Sequence, residues 1–459
     1  IDCAAGRKES DLVIRNIQIF NVFTGEIETG EIAVTAGKIV GIGKGYRGRK
    51  EYDGAGATAI PGLIDSHIHV ESSLLSPEEF AHLAAVHGTT GIVADPHELV
   101  NVCGIEGAEY VKEAFSRLTV GEVNPIDVYL QLPSCVPATP FETSGAKLSG
   151  EETAREIGRD TFFGLGEMMN YPAVVAGEED VLRKIEAAHE AKKIVDGHAP
   201  MLSGMALNAY AAAGISTDHE SETVEECREK ISRGMYIQLR GGSSASNLER
   251  CAGAVDAFNF RRFLICSDDK NARDLRQKGH IDDALRRLVK SGLDPAQAVC
   301  MATKNVADCY KISGKGALAP SYDADIVLVK DLKEFEVTAV FKSGALIAQN
   351  GKALFDTKNK YLPAAVRDTV HIRPVSADDF ALNIGSGHAR AMFVRPHTIL
   401  TDEVTVPVEQ ENGDVRLAGT DLCKLAVIER HFASGNLGLG LVKDFGLTGG
   451  ALGISVAHD

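Results

Sequence analysis

The sequence predicts an α/β protein: a (β/α)8 TIM-type barrel with a composite β-sandwich domain and a C-terminal α/β domain. Three observations carry this expectation. Eight β-rich segments alternate with helical patterns between residues 61 and 315, close to the roughly 250 residues such a barrel takes. Further β-rich stretches flank that region on both sides, in 1–60 and 316–360. The remainder, 361–459, changes character again, with strand-like, helix-like and Gly-rich segments.

The first region reads as β structure. Leu12-Val13-Ile14, Ile17-Gln18-Ile19-Phe20, Ile32-Ala33-Val34 and Lys38-Ile39-Val40 are β-rich, and Gly25, Gly30 and Gly37 separate them as turns. The eight barrel strands are expected at Leu63–Val70, Thr90–Ala94, Asp127–Leu132, Phe162–Glu167, Lys193–His198, Ile215–His219, Met235–Leu239 and Arg262–Ser267. Helical patterns such as Pro77–His87, Glu178–Lys192, Ser203–Ala213 and Val224–Arg233 lie between them. Alternation of this length argues for parallel strands. An open doubly wound sheet is the competing architecture. It wants a Gly-rich phosphate loop after its first strand, whereas this first strand runs into His67-Ile68-His69.

Residues 316–360 return to β structure at Asp325–Val329, Val337–Phe341 and Ala345–Ala348, which predicts one sheet assembled from both flanks. In 361–459 a short strand over Val404–Val406 is expected to stop at Pro407, and Leu422–Phe432 reads as a helix. The end at Ser455-Val456-Ala457-His458-Asp459 has no stop signal, so this last domain is expected to be incomplete.

The chain has 459 residues, which at ~150 per domain suggests two to four domains. Sixty-four acidic against 48 basic residues leave a net charge of −16. That disfavours nucleic acid and anionic membranes, which need a basic face. Nine cysteines without a CxxC pair argue for reduced thiols and a cytoplasmic protein rather than a secreted disulfide framework. No apolar run approaches 18 residues, so no spanning helix is expected. The N-terminus shows neither an initiator Met nor a signal-peptide core. The expected partner is a small-molecule substrate, bound by a homo-oligomer.

Barrel enzymes carry their chemistry at the C-terminal ends of the strands. Here those ends hold His67 and His69, Glu167, His198, His219 and Asp268 with Asp269. His67 and His69, two apart on a strand, share a face. Imidazoles and carboxylates form a metal-site inventory, and six ligands with a carboxylate bridge suit two divalent ions. Each residue also has a bland reading. A lone HxH is often packing, a lone Glu at a strand end is often solvated, and Asp268 could cap the following helix. Independent bland explanations for all six, on one face of one barrel, are hard to sustain.

Other residues carry less. Glu71, His97 and Glu98 follow strands 1 and 2 and would face the same mouth, as substrate contacts or an auxiliary metal site. Arg240 ends strand 7 and could bind a substrate heteroatom. Leu132-Pro133-Ser134-Cys135-Val136-Pro137 suggests a rigid pocket wall, with no base near Cys135 to make it a nucleophile. His82, His87 and His189 fall on helices, and His280, His371, His388, His397 and His431 lack strand-end context.

Pro61-Gly62-Leu63-Ile64-Asp65-Ser66-His67-Ile68-His69 resembles the strand 1 signature of the amidohydrolase superfamily. Gly316-Ala317-Leu318-Ala319-Pro320 with Asp323-Ala324-Asp325-Ile326-Val327 resembles its return into the β-sandwich. Within that superfamily the sequence resembles the bacterial and archaeal adenine deaminase family. The carrying motifs are His69-Val70-Glu71-Ser72-Ser73, Ala94-Asp95-Pro96-His97-Glu98, Pro133-Ser134-Cys135-Val136-Pro137, Gly166-Glu167-Met168-Met169-Asn170, Asp218-His219-Glu220 and Ser267-Asp268-Asp269-Lys270. Position 267 is Ser where the family pattern leads one to expect Thr.

The resemblance implies hydrolytic deamination of adenine to hypoxanthine and ammonia. It implies His67 and His69 on one metal ion, His198 and His219 on the other, Glu167 as the bridge, and Asp268 as ligand and proton shuttle. The ions would be Mn, Fe or Zn, and a hydroxide bridging them would attack carbon 6. The resemblance also implies further chain beyond Asp459. A cyclic amidohydrolase of the dihydroorotase or hydantoinase kind is the competing enzyme, but it usually has lysine where this chain has Glu167. A non-catalytic assembly protein on the same fold would have lost ligands, and here all six are present.

Overall fold

The computed structural model describes residues 1–358, 360–385, 387–396, 398 and 400–454. His397 and the segment 455–459 lie outside the described residues.

Five strands precede the first chemistry-bearing segment: β1 (Ser10–Phe20), β2 (Ile27–Thr35), β3 (Lys38–Gly43), β4 (Gly48–Asp53) and β5 (Thr58–Pro61). Eight more follow in the alternating region: β6 (Leu63–Ile68), β7 (Thr89–Ala94), β8 (Asp127–Leu132), β9 (Gly164–Met168), β10 (Ile194–Gly197), β11 (Thr217–Asp218), β12 (Tyr236–Arg240) and β13 (Phe263–Cys266). All eight correspond to expected segments, most trimmed by one or two residues at an end. β11 shrinks furthest, to two paired residues.

β6 to β10 form one parallel sheet in sequential order, and β11 to β13 form a second. The two meet at both edges. Ile68 bridges Asp268 in parallel register, and Ser216 N donates to Val195 O across the other seam, 3.0 Å. The result is a curled parallel sheet with helices outside it. The helix Ile281–Lys290 shows why: Ile281, Ala284, Leu285 and Leu288 are buried at i, i+3, i+4 and i+7. One large core cluster joins such helix faces to the strands.

β14 (Ile326–Val329), β15 (Val337–Lys342), β16 (Ala345–Gln349) and β17 (Lys352–Ala353) complete the flanking sheet. β14 pairs antiparallel with β5, Ile326 opposite Pro61 through Val329 opposite Thr58. One sheet of nine strands therefore draws on both flanks, in the order β17-β16-β15-β14-β5-β1-β2-β3 with β4 on β1. Its own core is aliphatic, with Ile14, Ile17, Ile32, Val34, Ile39, Ile326 and Leu328. Lys342, 2% exposed, ties this sheet to the parallel one through Asp325 at 3.0 Å and Asp127 at 2.9 Å.

The C-terminal expectation needs correction. The described part of 361–454 holds six strands and two short 3-10 helices and no α-helix, so it is not an α/β domain. The strands are β18 (Gly387–Val394), β19 (Thr401–Val408), β20 (Gln410–Glu411), β21 (Asp414–Val415), β22 (Leu422–Ile428) and β23 (Leu437–Lys443). The expected helix over Leu422–Phe432 is strand β22, paired along its length with the alternating Leu-Gly segment of β23. Leu422, Leu425 and Ile428 have helical spacing, but β-branched Val427 and Ile428 suit a strand and tertiary pairing decides. Pro407 does not stop β19, because β19 is an edge strand in the order β19-β18-β23-β22. This sheet reaches loops that follow the parallel strands. Thr398 donates to Glu222 beyond β11, 3.1 Å, and Phe432 lines a recess with residues 142–147 beyond β8. Among the described residues no helix is long and apolar enough to cross a membrane.

Candidate metal centre and active site

The six expected ligands converge. His67 is on β6 and His69 one residue past its end. Glu167 is the fourth residue of β9. His198 and His219 stand immediately after the last residues of β10 and β11. Asp268 lies two residues past β13, in the left-handed region at φ 53°, which aspartate tolerates better than most side chains. Asn271, not Asp268, caps the next helix, its side chain accepting from Asp274 N. The bland reading of Asp268 as a helix cap is thereby removed.

Glu167 sits at the centre. Its Oε1 is 3.2 Å from His69 Nε2 and 3.9 Å from His67 Nε2. Its Oε2 is 2.7 Å from His198 Nδ1 and 3.0 Å from His219 Nε2. Asp268 Oδ1 lies 3.4, 3.2 and 3.9 Å from the Nε2 atoms of His67, His69 and His219. Two overlapping ligand groups result, His67-His69-Glu167 and Glu167-His198-His219, sharing one carboxylate. A third, His67-His219-Asp268, crosses between them.

The donor chemistry of this cluster fits divalent cations. His69 Nδ1 is 2.7 Å from the carbonyl of Asp95, which can only accept, so Nδ1 carries the proton. In the neutral ring Nε2 then presents a lone pair. That lone pair faces the oxygens of Glu167 and Asp268 and, at 3.1 Å, His67 Nε2. Lone pairs and carboxylates pointed at one another require a proton or a metal between them. A carbonyl holding the far nitrogen of a ligand imidazole is also the usual outer support of a metal site. The buried His/Asp/Glu set could therefore hold a divalent metal ion.

The electrostatics agree. Burial disfavours charge on Glu167, but His198 and His219 hold it well below the usual carboxylate range. Burial likewise opposes ionisation of Asp268, and Arg240, His67 and His69 overcome it. His67 is pushed down to about 4 by burial and by His219. His219 is carried up to about 9 against burial, by Glu167.

The residues expected at the mouth divide. His97 begins the helix His97–Cys103 and joins the cluster, with Nδ1 3.2 Å from Glu167 Oε1 and Nε2 3.0 Å from Glu98 Oε1. Glu98 and His97 also group with His69. Glu71 lies in the 3-10 turn Val70–Ser73, where burial and the neighbouring Glu98 raise it to about 8. Arg240 ends β12 but is 1% exposed. Both its terminal nitrogens are held by carboxylates, Glu220 and Asp268.

Three buried carboxylates escaped the sequence reading as individual residues. Glu220 stands beside His219, its Oε1 3.4 Å from Nε2. Asp65 accepts from Ser267 N and Oγ and sits 2.8 Å from His280 Nε2, joining β6 to β13 beneath the site. Asp95 accepts from the backbone N of Glu167 at 2.9 Å. Their signal was adjacency, since each lies within two residues of a motif histidine. Asp95 also explains Gly166, where a Cβ would meet Asp95 Oδ2 at 2.1 Å. Gly166→Ala is therefore expected to destabilise the fold by about 1–3 kcal/mol, the range for overpacking a tight site, and to weaken metal retention. Thermal unfolding with metal analysis checks this, and stability matching wild type would refute the packing argument.

Residues 58–347 match the amidohydrolase family, and residues 398–459 match the adenine deaminase C-terminal domain. An adenine deaminase of Clostridium acetobutylicum is 45% identical over 460 residues, covering 100% of this chain and 80% of that protein. The chain belongs to the adenine deaminase family. An adenine deaminase of Nitratidesulfovibrio vulgaris is also 45% identical, with 100% of this chain and 78% of that one covered. Among solved structures, N-isopropylammelide isopropylaminohydrolase from Burkholderia multivorans superposes with TM-score 0.53 at 16% identity, over 75% of this chain and 100% of that one. Enamidase superposes with TM-score 0.54 at 18% identity, over 75% and 96%. At these identities the two structures speak to the fold alone. They share it with a family whose members here are adenine deaminases.

Proposed function

We propose that this chain hydrolyses adenine to hypoxanthine and ammonia at a centre for two divalent ions, in a cytoplasmic and homo-oligomeric enzyme. The observation that carries the reading is the division of Glu167, one oxygen toward His67 and His69 and the other toward His198 and His219. Membership of the adenine deaminase family supplies the substrate. The cyclic amidohydrolase alternative gains nothing, because a glutamate and not a lysine stands at the bridge. An assembly protein would have no need of six buried polar ligands. The same reading divides the chain into residues 1–60 with 316–360 as one β domain, 61–315 as the (β/α)8 barrel, and 361–459 as a third domain.

His67 and His69 would hold one ion, His198 and His219 the other, with Glu167 between them and Asp268 as a further ligand. Manganese, iron and zinc all suit imidazole and carboxylate. Bound there, the ions supply a nucleophile by lowering the pKa of water toward neutrality. Asp268 accepts the proton at Oδ1, the oxygen that faces the imidazoles, and returns it to the departing amine as general base and then acid. Glu71, His97 and Glu98 flank the cluster on the β6 and β7 side, where they contact the purine. Either Glu71, whose carboxyl is raised by burial and by Glu98, or the His97–Glu98 pair can serve a ring nitrogen. The metal-loaded protein should convert adenine to equimolar hypoxanthine and ammonia. Chelation should abolish this and restored metal should recover it. Metal-loaded protein inert toward adenine would overturn the proposal.

A further inference from the structure

Arg240 and Glu220 form an enclosed ion pair beside the candidate centre, each about 1% exposed. They come from different strands, Arg240 from the end of β12 and Glu220 from the loop after β11. Arg240 Nη2 donates to Glu220 Oε2 at 3.0 Å and Nη1 donates to Glu220 Oε1, a two-point clasp. Nη1 also donates to Asp268 Oδ2 at 3.0 Å. The fixed fork of a guanidinium imposes geometry that a lysine could not. Asn247 fixes the arginine's backbone, its Oδ1 accepting from Arg240 N at 2.7 Å and its amide donating to the carbonyls of His219 and Ser221.

Glu220 would otherwise be a competitor within the cluster. Its Oε1 is 3.4 Å from His219 Nε2 and 3.8 Å from His198 Nδ1, nearly as close as Asp268 is to its imidazoles. Two carboxylates thus stand at the edge of one imidazole group, and a single guanidinium touches both.

We propose that Arg240 is a positioning residue that sorts these two carboxylates: by holding Oδ2 of Asp268 it leaves Oδ1 alone to face the centre, and by clasping both oxygens of Glu220 it keeps that group from becoming a ligand. This rests on the reading of Asp268 as ligand and proton carrier. It assigns Arg240 to Asp268 instead of to a substrate heteroatom. It also explains why a further potential ligand can sit in the cluster without filling the position that water needs.

Arg240→Gln, Glu220→Gln and the double variant test this together, each loaded with cobalt(II) as a spectroscopic probe and assayed with adenine. Removing one partner of a buried ion pair is strongly destabilising, so the double variant, which removes both members of the Arg240–Glu220 pair together, is the decisive protein. Arg240→Lys is the further variant that keeps the charge. In Arg240→Gln the visible cobalt absorption is expected to weaken as Glu220 joins the coordination, and in the double variant it should return to the wild-type form. The value of kcat should fall about 10²-fold in both, with KM within about threefold, because Asp268 has lost its orienting donor in each. Arg240→Lys should fall between them and wild type. A double variant with wild-type kcat would show that Arg240 only neutralises Glu220 and would overturn the sorting of Asp268. A cobalt spectrum unchanged in Arg240→Gln would overturn the exclusion of Glu220. If wild type fails to deaminate adenine, the proposed reaction is wrong, while the cobalt spectra still decide the coordination.

Discussion

Asp268→Asn is expected to cut kcat by ~10²- to 10⁴-fold, the scale for losing a general acid–base group. Asparagine keeps the shape of aspartate and its tolerance of the left-handed backbone that Asp268 adopts. It keeps an acceptor for Arg240, but it cannot take a proton and give it back. The structure has removed the alternative in which Asn would be harmless, because Asn271 caps the following helix. His67, His69, Glu167, His198 and His219 still surround the centre, so metal should remain when the assay contains it in excess. Metal content must be measured on the same sample. Full metal with near wild-type turnover would end the assignment of Asp268 and move suspicion to His97 and Glu98, which lie against Glu167 and His69.

Glu167→Ala is expected to remove at least one ion and to lower activity by at least ~10³-fold, about 4 kcal/mol of barrier. Alanine takes away the only carboxylate, among the described residues, within 3.0 Å of both His198 and His219. It also leaves the two imidazole pairs without the carboxylate they share, and His67 and His219 already stack at 4.2 Å. Elemental analysis alongside turnover checks this. Retention of the wild-type metal complement would mean that Glu167 is not the bridge.

Much of this was legible in the sequence because it is local. The strand ends at His67, Glu167, His198, His219 and Asp268 could be read from short β-rich segments, each followed by its polar residue. Parallel strands put such residues on one rim whatever the loops between them do. What stayed hidden depends on distant pairs. Arg240 reads as a substrate contact until the chain brings Glu220 and Asp268 around it, 20 and 28 residues away. Gly166 has no evident purpose until Asp95 packs on it from another strand. The segment Leu422–Ile428 failed differently. Its apolar spacing fits a helix and a strand, and only the partner strand β23 decides.

The most direct measurement is the metal content of the purified, adenine-deaminating protein, counted per chain by elemental analysis. The two imidazole pairs sharing Glu167 predict close to two divalent transition-metal ions. An active preparation that contains none would contradict the account.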